Sequence, residues 1–384
     1  MEQGKPLFLA NVEVQLGIQW VRYISKLDIP VESYVESTGK EIKVYNRPLG
    51  VIASVTPWNW PFMIAIWHLL PALRTKNTVV IKPSEYTPLS TIRLVEIINS
   101  VLPKGVCNIV LGKGEVGKLL TENKDVNKVV FTGSTKTGQF ILDSSVETLK
   151  SVVLELGGND VGIVLDDVDV DTVAERIFQS SFLNAGQTCA CLKRLYVHEN
   201  VYDELTKKLA EFADKQVMGD GLNPQVTFGP VQNKMQYEKV KSILKDALSR
   251  GAKVLNKTAT YPEKGYFIPP TLVVDIQDGI SLVDDEQFGP VLPIIKFTNV
   301  DEVLRITNQS LFGLGGSIWS NKLEKAQEIA ARMETGSVWI NSHGDLSPEA
   351  AFGGWKLSGL GYSFGIGGLL QFTHKQSVHV SKLD

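Results

Sequence analysis

The alternation of apolar and polar positions divides this chain into two regions of strands and helices. Residues 4–27 carry apolar side chains at helical spacing, and the pattern ends at a proline-containing turn. Residues 31–48 alternate as strands do around Thr38-Gly39, which predicts a hairpin. Between residues 49 and 143, short apolar runs alternate with helical stretches. This order predicts a parallel sheet covered by helices.

A second pattern of the same kind begins near Gly157. A strand is predicted at 161–165, and a helix is predicted at 170–186. Further apolar runs extend this second sheet, at 195–197, 291–297, 315–319 and 337–340. The residues 376–380 alternate again, and we expect them to pair with the early hairpin. We therefore predict an α/β fold of two lobes, with a small β extension made from both ends of the chain.

Composition narrows the class of protein. The chain has 384 residues, which suits two domains that each bury a core. A formal net charge of −3 disfavours binding to nucleic acid or to an anionic membrane, because such surfaces need clustered lysine and arginine. No apolar run reaches the length of a membrane span, and the first residues lack the pattern of a signal peptide. Three cysteines do not suit a disulfide framework, so we expect a cytoplasmic protein.

Two of the three cysteines, Cys189 and Cys191, lie one residue apart just after a glycine. A zinc site would need further ligands in spaced groups, and the sequence offers few, so no metal is expected. A disulfide between them would close a tight ring, which disfavours a redox pair. Cys191 fits a small buried apolar residue. Cys189 fits either a packed side chain or a nucleophile, and the local sequence leaves both open.

Three other stretches carry possible chemistry. Gly112-x-Gly114-x-x-Gly117 follows an apolar run and matches a phosphate-binding glycine fingerprint, although the expected acidic residue is missing after the next strand. A simple strand–helix turn remains the alternative. Lys82 and Glu85, at the end of a predicted strand, could bind ribose hydroxyls or form a surface pair. The loop at 57–61 holds an asparagine between tryptophans, which is typical either of an aimed amide or of a packed aromatic turn.

Taken together, the motifs of this chain resemble those of the aldehyde dehydrogenase superfamily. The resemblance covers nearly the whole chain, and the motifs occur in the order of that family. They are PWNWPF (57–62), KPSE (82–85), FTGSTKTG (131–138), ELGGND (155–160), GQTCAC (186–191), EQFGPV (286–291) and FGGWKLSG (352–359).

The resemblance implies a role for individual residues. Cys189 would be the nucleophile, Glu155 the general base, and Asn59 the amide of the oxyanion hole. The residues implied in cofactor binding are Val55, Trp58, Lys82, Glu85, Gly114, Gly133, Ser134, Leu156, Glu286 and Phe288. The implied domains are an NAD(P)-binding domain at 1–157 that includes the hairpin, a catalytic domain at 158–365, and a C-terminal oligomerisation segment at 366–384.

The implied activity is the NAD(P)-dependent oxidation of a small-molecule aldehyde to a carboxylic acid. The reaction would pass through a thiohemiacetal and a thioester on the cysteine, and water activated by the glutamate would release the acid. Glu85 favours NAD, with NADP as an alternative, and the terminal strands imply a homodimer or homotetramer. Relatives that acylate CoA typically lack the ELGG glutamate, so Glu155 counts against that reaction. Two further alternatives are a non-catalytic binding or structural protein and a cysteine hydrolase.

The chain departs from the usual family pattern at four places. Relatives carry a further N-terminal segment, whose absence is expected to expose apolar surface on the cofactor lobe. His68 stands where many relatives have lysine, and Ser363 stands where they have glutamate. His68 could contribute to a proton path or could be a packed histidine, and both interpretations remain open. Lys76 stands where glycine is usual, which predicts a strained turn.

Overall fold

A computed structural model describes residues 1–37, 39–257 and 262–381 of the chain. The helices are α1 (Leu7–Ile24), α2 (Pro61–Arg74), α3 (Leu89–Asn99), α4 (Gly114–Glu122), α5 (Thr135–Ser145), α6 (Val170–Phe182), α7 (Glu199–Asp214), α8 (Lys234–Ser249), α9 (Ser281–Asp284), α10 (Val300–Asn308), α11 (Leu323–Ala330) and α12 (Gly365–Leu370). Short 3₁₀ helices lie at Val146–Thr148 and Leu183–Gly186.

The strands are β1 (Glu32–Val35), β2 (Glu41–Pro48), β3 (Val51–Val55), β4 (Thr78–Lys82), β5 (Cys107–Ile109), β6 (Lys128–Thr132), β7 (Ser151–Glu155), β8 (Asp160–Val164), β9 (Leu192–His198), β10 (Lys253–Val254), β11 (Thr271–Val274), β12 (Val291–Phe297), β13 (Phe312–Gly313), β14 (Gly315–Trp319), β15 (Ser337–Ile340), β16 (Trp355–Lys356), β17 (Gly359–Leu360) and β18 (Thr373–Val380). Thr38 of the predicted hairpin and residues 382–384 of the predicted C-terminal segment lie outside the described residues.

The chain divides into two compact units, which we name after a predicted site residue that each contains. The Glu155 unit comprises residues 13–155, 347–352 and 361–384. The Cys189 unit comprises residues 1–12, 156–346 and 353–360. The chain leaves the first unit directly after β7. The predicted functional domain boundaries stay a prediction.

The Glu155 unit contains five parallel strands in the order β7-β6-β3-β4-β5. Numbered along the chain, this is the 3-2-1-4-5 order of a doubly wound dinucleotide-binding sheet. Side chains from the strand interiors form its core, among them Ile52, Val79, Ile81, Val130 and Val153. In such sheets ligands bind beyond the carboxyl ends of the strands, at the point where the strand order reverses. Here that point lies between β3 and β6.

The same unit carries the predicted β extension. β1 and β2 form an antiparallel hairpin, and β18 pairs antiparallel with β2 from Thr373 opposite Pro48 to Val380 opposite Glu41. The prediction that the end of the chain returns to the hairpin is therefore confirmed. All three strands are largely exposed, because their alternating polar residues face no second layer of the unit.

The Cys189 unit holds a larger sheet in the order β10-β11-β12-β9-β8-β14-β15. Its pairs are parallel apart from the edge pair β10–β11. The strands predicted at 291–297, 315–319 and 337–340 are confirmed, with the same bounds. Helices cover the two faces with separate apolar clusters, one around Ile163 and Ile318 and the other around Ile177 and Leu205.

The helix predicted at 170–186 is wrong at its C-terminal end. α6 stops at Phe182, and Asn184 and Ala185 then take left-handed backbone angles with φ of 54° and 56°. The apolar pattern continues through this stretch, but Gly186 permits a turn that periodicity does not reveal. The helix α8 was not predicted, although Val240 and Ala247 are buried and Ile243 and Leu244 pack against the same apolar cluster at helical spacing.

Several apolar side chains of the Glu155 unit are exposed. Leu119 of α4 is 71% exposed and Leu149 is 88% exposed, and Val146 lies nearby at 67%. Within the described part of the chain, no helix combines the length and the apolar character needed to cross a membrane.

Candidate active site

Cys189 follows a left-handed turn and precedes β9. Gly186 has a φ of +70°, and a Cβ atom there would lie 2.3 Å from the carbonyl oxygen of Gly289. Glycine is therefore required both by the backbone angle and by the close approach of another backbone segment. Gln187 fixes the turn from the other side, because its Nε2 donates to the carbonyl oxygen of Asn184 at 2.9 Å and its Oε1 accepts from the N–H of Gln232 at 2.8 Å.

The structure separates the two neighbouring cysteines. Cys191 is 1% exposed, and burial raises the pKa of its thiol to about 11. A thiol with such a pKa is protonated near neutral pH and is a poor nucleophile. Cys189, in contrast, is partly exposed. Among the described residues, no group of three or more His, Cys, Asp or Glu side chains could hold a metal ion.

A buried lysine that the sequence analysis missed links Cys189 to Glu286. Lys193 is 2% exposed, its Nζ donates to the carbonyl oxygen of Cys189, and it lies 3.5 Å from Oε1 of Glu286. Burial alone would lower the pKa of Lys193, but the carboxylates of Glu286 and Asp160 outweigh it and raise that pKa. Two adjacent basic residues, Lys193 and Arg194, inside a buried strand were the available signal.

The loop that carries Glu286 and Phe288 is also held firmly. The N–H of Gly158 donates to Oε1 of Glu286 at 3.1 Å, while Nε2 of Gln236 donates to the carbonyl oxygens of residues 287 and 288. Phe288 has a φ of 50°, so this loop is fixed in a conformation that few residues adopt freely. Leu156 lies in the same unit, where its N–H donates to the carbonyl oxygen of Ser358 at 2.9 Å.

In the Glu155 unit, several of the predicted residues end neighbouring strands. Val55 ends β3 and pairs with Lys82, which ends β4. On the other side, Thr132 ends β6 and pairs with Glu155, which ends β7. The fold thus brings the predicted base to the same carboxyl edge of the sheet as two predicted cofactor residues. This is the edge at which doubly wound sheets bind nucleotides.

The turn after β6 begins a helix whose N-terminus suits a phosphate group. Ser134 caps α5, because its hydroxyl accepts from the N–H of Thr137 at 3.3 Å. Gly133 donates its N–H to the carbonyl oxygen of Glu155 at 3.0 Å, and a Cβ there would come within 2.4 Å of the Phe131 ring. Helix N-termini directly after a strand stabilise anions by their N–H groups and dipole. These residues fit the pyrophosphate of a dinucleotide.

The other predicted residues of this unit lie in the first two strand–helix connections. Lys82 is 4% exposed and donates from Nζ to the carbonyl oxygen of Pro83 at 2.7 Å, while Glu85 is exposed. Burial lowers the pKa of Lys82, and the charge of Glu85 opposes that effect. Asn59 is buried in the turn before α2, and the carbonyl oxygen of the adjacent Trp58 accepts from Thr87 at 3.4 Å. Gly114 is the first residue of α4 and is exposed.

Glu155 has an environment that suits a base. Its side chain is 3% exposed, and burial raises its pKa to about 7, while hydrogen bonds with Ser363 and Thr132 partly offset that rise. Thr132 donates to Oε2 over a long distance of 3.5 Å. A carboxyl group with a pKa near neutrality can take up a proton and release it at physiological pH. Thr132 was not predicted as a site residue; its position in FTGST, one strand away from ELGG, was the available signal.

Comparison with known proteins identifies the family. The model of the aldehyde dehydrogenase family matches residues 1–378. A phenylacetaldehyde dehydrogenase of Pseudomonas fluorescens is 37% identical to this chain over an alignment of 397 residues. The alignment covers 99% of this chain and 78% of that protein. An NAD⁺ complex of an aldehyde dehydrogenase from Bacillus cereus is similar with a TM-score of 0.95 and 33% identity, covering 99% of this chain and 78% of the other.

A further similar structure is an NADP-dependent enzyme of Escherichia coli, with a TM-score of 0.95, 36% identity, and coverage of 99% of this chain and 80% of the other. The predicted family resemblance, the α/β fold class and the general class of enzyme are thereby confirmed. The chain belongs to the aldehyde dehydrogenase family, whose members are oxidoreductases that act on the aldehyde group.

Proposed function

We propose that this chain oxidises an aldehyde to a carboxylic acid with NAD as acceptor and releases the product by hydrolysis. The observation that carries the proposal is the buried carboxyl of Glu155, with a pKa of about 7, at the carboxyl edge of a sheet with dinucleotide-binding strand order. A hydrolytic step needs a base that takes the proton of the attacking water. A dinucleotide needs such a sheet edge.

In the first step, the thiolate of Cys189 attacks the aldehyde carbonyl and forms a thiohemiacetal oxyanion. The side-chain amide of Asn59 and the backbone N–H of Cys189 would stabilise this oxyanion, an effect of about 2.7–4 kcal/mol per donor in comparable sites. Support for the role of Cys189 comes from its partial exposure and from the fixed turn before it. The buried Cys191 thiol is a poor candidate because its pKa is about 11.

In the last step, Glu155 removes a proton from water, and the resulting hydroxide attacks the thioester carbon. The carbon–sulfur bond breaks, the carboxylic acid leaves, the thiolate of Cys189 is restored, and Glu155 releases its proton to solvent. Because the pKa of Glu155 is about 7, the ionised fraction rises with pH through neutrality. We therefore expect the rate of this step to rise over the same range.

The proposed cofactor is NAD, with NADP as the alternative; when bound, it would accept the hydride from the thiohemiacetal carbon, which leaves a thioester on Cys189. Lys82 and Glu85 would hold the adenosine ribose, because a carboxylate accepts the 2′-hydroxyl and repels a 2′-phosphate. Gly133 and Ser134 would bind the pyrophosphate at the N-terminus of α5. Glu286 and Phe288 would orient the nicotinamide ribose and ring, supported by the anchoring of Glu286 on Gly158 and Lys193.

Two further parts of the proposal concern the cell and the assembly. Cys107 and Cys191 are buried free thiols, which suits a reducing compartment such as the cytoplasm. We also propose that the chain forms a homodimer or homotetramer. The β extension supports assembly, because Tyr34, Val35 and Val380 are each more than half exposed on its three-stranded sheet.

The test follows NADH formation from an aldehyde and NAD by absorbance. We expect turnover in the wild type, none in Cys189→Ala, and retained turnover in the matched control Cys191→Ala. Glu155→Gln should form an initial burst of NADH and then stall, because acylation proceeds and hydrolysis does not. A folded wild-type protein that forms no NADH would refute the proposed activity, and full steady-state turnover in Glu155→Gln would refute the role of Glu155.

A further inference from the structure

His68 contacts two buried hydroxyl groups that come from different strands. It lies on α2, is 1% exposed, and places Nδ1 2.9 Å from Oγ of Ser54 and Nε2 2.9 Å from Oγ1 of Thr132. Ser54 lies within β3 and Thr132 ends β6, and both are buried. The histidine therefore spans the point at which the strand order of the sheet reverses. Both ring nitrogens are engaged, and the proposed reaction assigns this residue no role.

The directions of these hydrogen bonds follow from the number of protons available. Thr132 has one hydroxyl proton, and this proton is donated to Oε2 of Glu155 at 3.5 Å. Oγ1 of Thr132 must then accept from His68, so the proton of the neutral ring lies on Nε2. Nδ1 is in turn an acceptor and takes the proton of Ser54. The hydrogen bonds thus run in one direction, from Ser54 through His68 and Thr132 to the carboxylate.

His68 is suited to orient a neighbour rather than to carry a proton. Burial lowers its pKa to about 3, so the ring stays neutral throughout the working pH range. The ionisable residues on the elements around α2 include Glu13, Arg22 and Tyr23 on α1, Arg93 and Glu96 on α3, and Lys82, Lys128 and Glu155 on the strands. Of these, Glu155 is the one that shares a hydrogen-bond partner with His68, while Arg93 and Glu96 pair with each other and Lys128 donates to Ser151.

We propose that His68 is a positioning residue for the hydrolytic step: its Nε2–H occupies the oxygen of Thr132 and thereby aims the Thr132 hydroxyl proton at Glu155. This inference rests on the proposed role of Glu155 as the base. The aimed hydroxyl stabilises the ionised carboxyl, which brings its pKa down toward neutrality against the effect of burial. Without His68, the Thr132 hydroxyl can rotate away, and the carboxylate loses that donor.

The first test reads the position of the ring proton directly by NMR. Histidine labelled with ¹⁵N is incorporated into the full chain, and the His68 signal is identified by its loss in His68→Gln. We expect a protonated Nε2 and an unprotonated Nδ1 at neutral pH. A proton on Nδ1 would overturn the proposal, because Thr132 would then have to donate to His68 instead of Glu155. This measurement needs neither turnover nor a folded variant beyond the one used for assignment.

The second test compares two amide replacements that reach different partners. The amide nitrogen of glutamine falls near the position of Nε2, whereas that of asparagine falls near Nδ1, so His68→Gln keeps the donor to Thr132 and His68→Asn does not. The readout is the pH midpoint of the steady-state rate after the NADH burst. We expect His68→Asn to move this midpoint upward by about half to one pH unit, and His68→Gln to leave it near the wild-type value. Below the midpoint, His68→Asn should be roughly 3- to 10-fold slower than the wild type.

Thr132→Val should shift the midpoint in the same direction, and its combination with His68→Asn should add nothing further. The matched control is Thr206→Val, which also removes a buried hydroxyl but lies on α7, where it donates to the carbonyl oxygen of Tyr202 at 2.8 Å. If the pH midpoint of folded His68→Asn equals that of the wild type, the proposal for His68 is wrong, while the role of Glu155 as the base is unaffected. Turnover in Glu155→Gln would instead show that Glu155 is not the base. The NMR result would still decide how His68 orients Thr132.

Discussion

Cys189 and Glu155 belong to different compact units, and each unit holds its reactive side chain by a different physical means. Cys189 follows a turn whose left-handed backbone is fixed by Gly186 and Gln187 and which leaves the sulfur partly exposed. Glu155 ends a regular strand, where burial raises the pKa of its carboxyl to about 7. The nucleophile thus depends on backbone geometry, whereas the base depends on solvation and on two hydroxyl groups. The two residues should therefore fail under different kinds of substitution.

The largest expected effect comes from a change of backbone at the Cys189 turn. In Gly186→Ala, the new Cβ would lie 2.3 Å from the carbonyl oxygen of Gly289, in addition to the strain of a positive φ. We expect a loss of about 3 kcal/mol in the free energy of unfolding. NADH formation should fall by roughly 100-fold or more, because small displacements of reacting groups have large effects on rate.

The control for this prediction is Gly105→Ala. Gly105 also has a positive φ, of +85°, but nothing lies within 4 Å of its Cβ position. It should lose only about 1 kcal/mol and retain its activity. Equal effects of the two substitutions on denaturant unfolding and on rate would show that the close approach to Gly289 contributes nothing.

A charge substitution at Glu155 should instead change how stability depends on pH. Below the ordinary pKa of 4.5, the carboxyl is protonated in both the folded and the unfolded chain, so it has no effect. Between 4.5 and about 7, the unfolded chain releases the proton while the folded chain keeps it, and the stability of the wild type falls. Glu155→Gln removes this loss, so it should be more stable than the wild type by up to about 3 kcal/mol near pH 8 and similar to it near pH 4.5.

Urea unfolding at several pH values measures this difference. The control is Glu147→Gln, which removes an exposed ion pair with Lys124 and should change the free energy of unfolding by less than about 1 kcal/mol at any pH. A stability difference between Glu155→Gln and the wild type that does not grow with pH would contradict the burial of an ionisable carboxyl at this strand end.

The smallest effect concerns a left-handed residue in the Glu155 unit. Lys76 has a φ of 66° and lies just after α2. Its N–H donates to the carbonyl oxygen of Leu73, and the N–H of Asn77 donates to the carbonyl oxygen of Ala72. This is the helix-end geometry that glycine favours. The side chain of Lys76 is exposed, so we expect it to contribute little to the free energy of unfolding. Lys76→Gly should raise the free energy of unfolding by about 0.5–1 kcal/mol. Lys76→Ala, as the control, keeps the Cβ and should gain less; a destabilised Lys76→Gly would mean that the lysine side chain stabilises the turn.

Much of the fold could be predicted from the sequence because apolar periodicity reports burial directly. The strands at 291–297, 315–319 and 337–340 have the predicted bounds, and the return of β18 to the hairpin was expected. The prediction missed α8, although Val240, Ile243, Leu244 and Ala247 have the spacing of a helical face. After α6 the apolar pattern continues while the backbone turns, and Gly186 in that turn lies against a distant loop.

The candidate site divides in the same way. The family and the proposed roles of Cys189 as nucleophile and Glu155 as base follow from motifs, because residue types and their order can be read from the chain. The sequence left His68 either as a packed histidine or as part of a proton path, and it gave Lys193 no role. Ser54 and Thr132 lie 14 and 64 residues from His68, and Glu286 lies far along the chain from Lys193.

The sequence by itself therefore determined which reactive groups this protein has and in which kind of fold they lie. Tertiary structure decided their chemical state. The pKa values of Glu155, His68 and Cys191 depend on burial and on hydrogen-bond partners contributed by other segments. Solvation and hydrogen bonding are properties of a place in the folded molecule, and a linear pattern does not contain them.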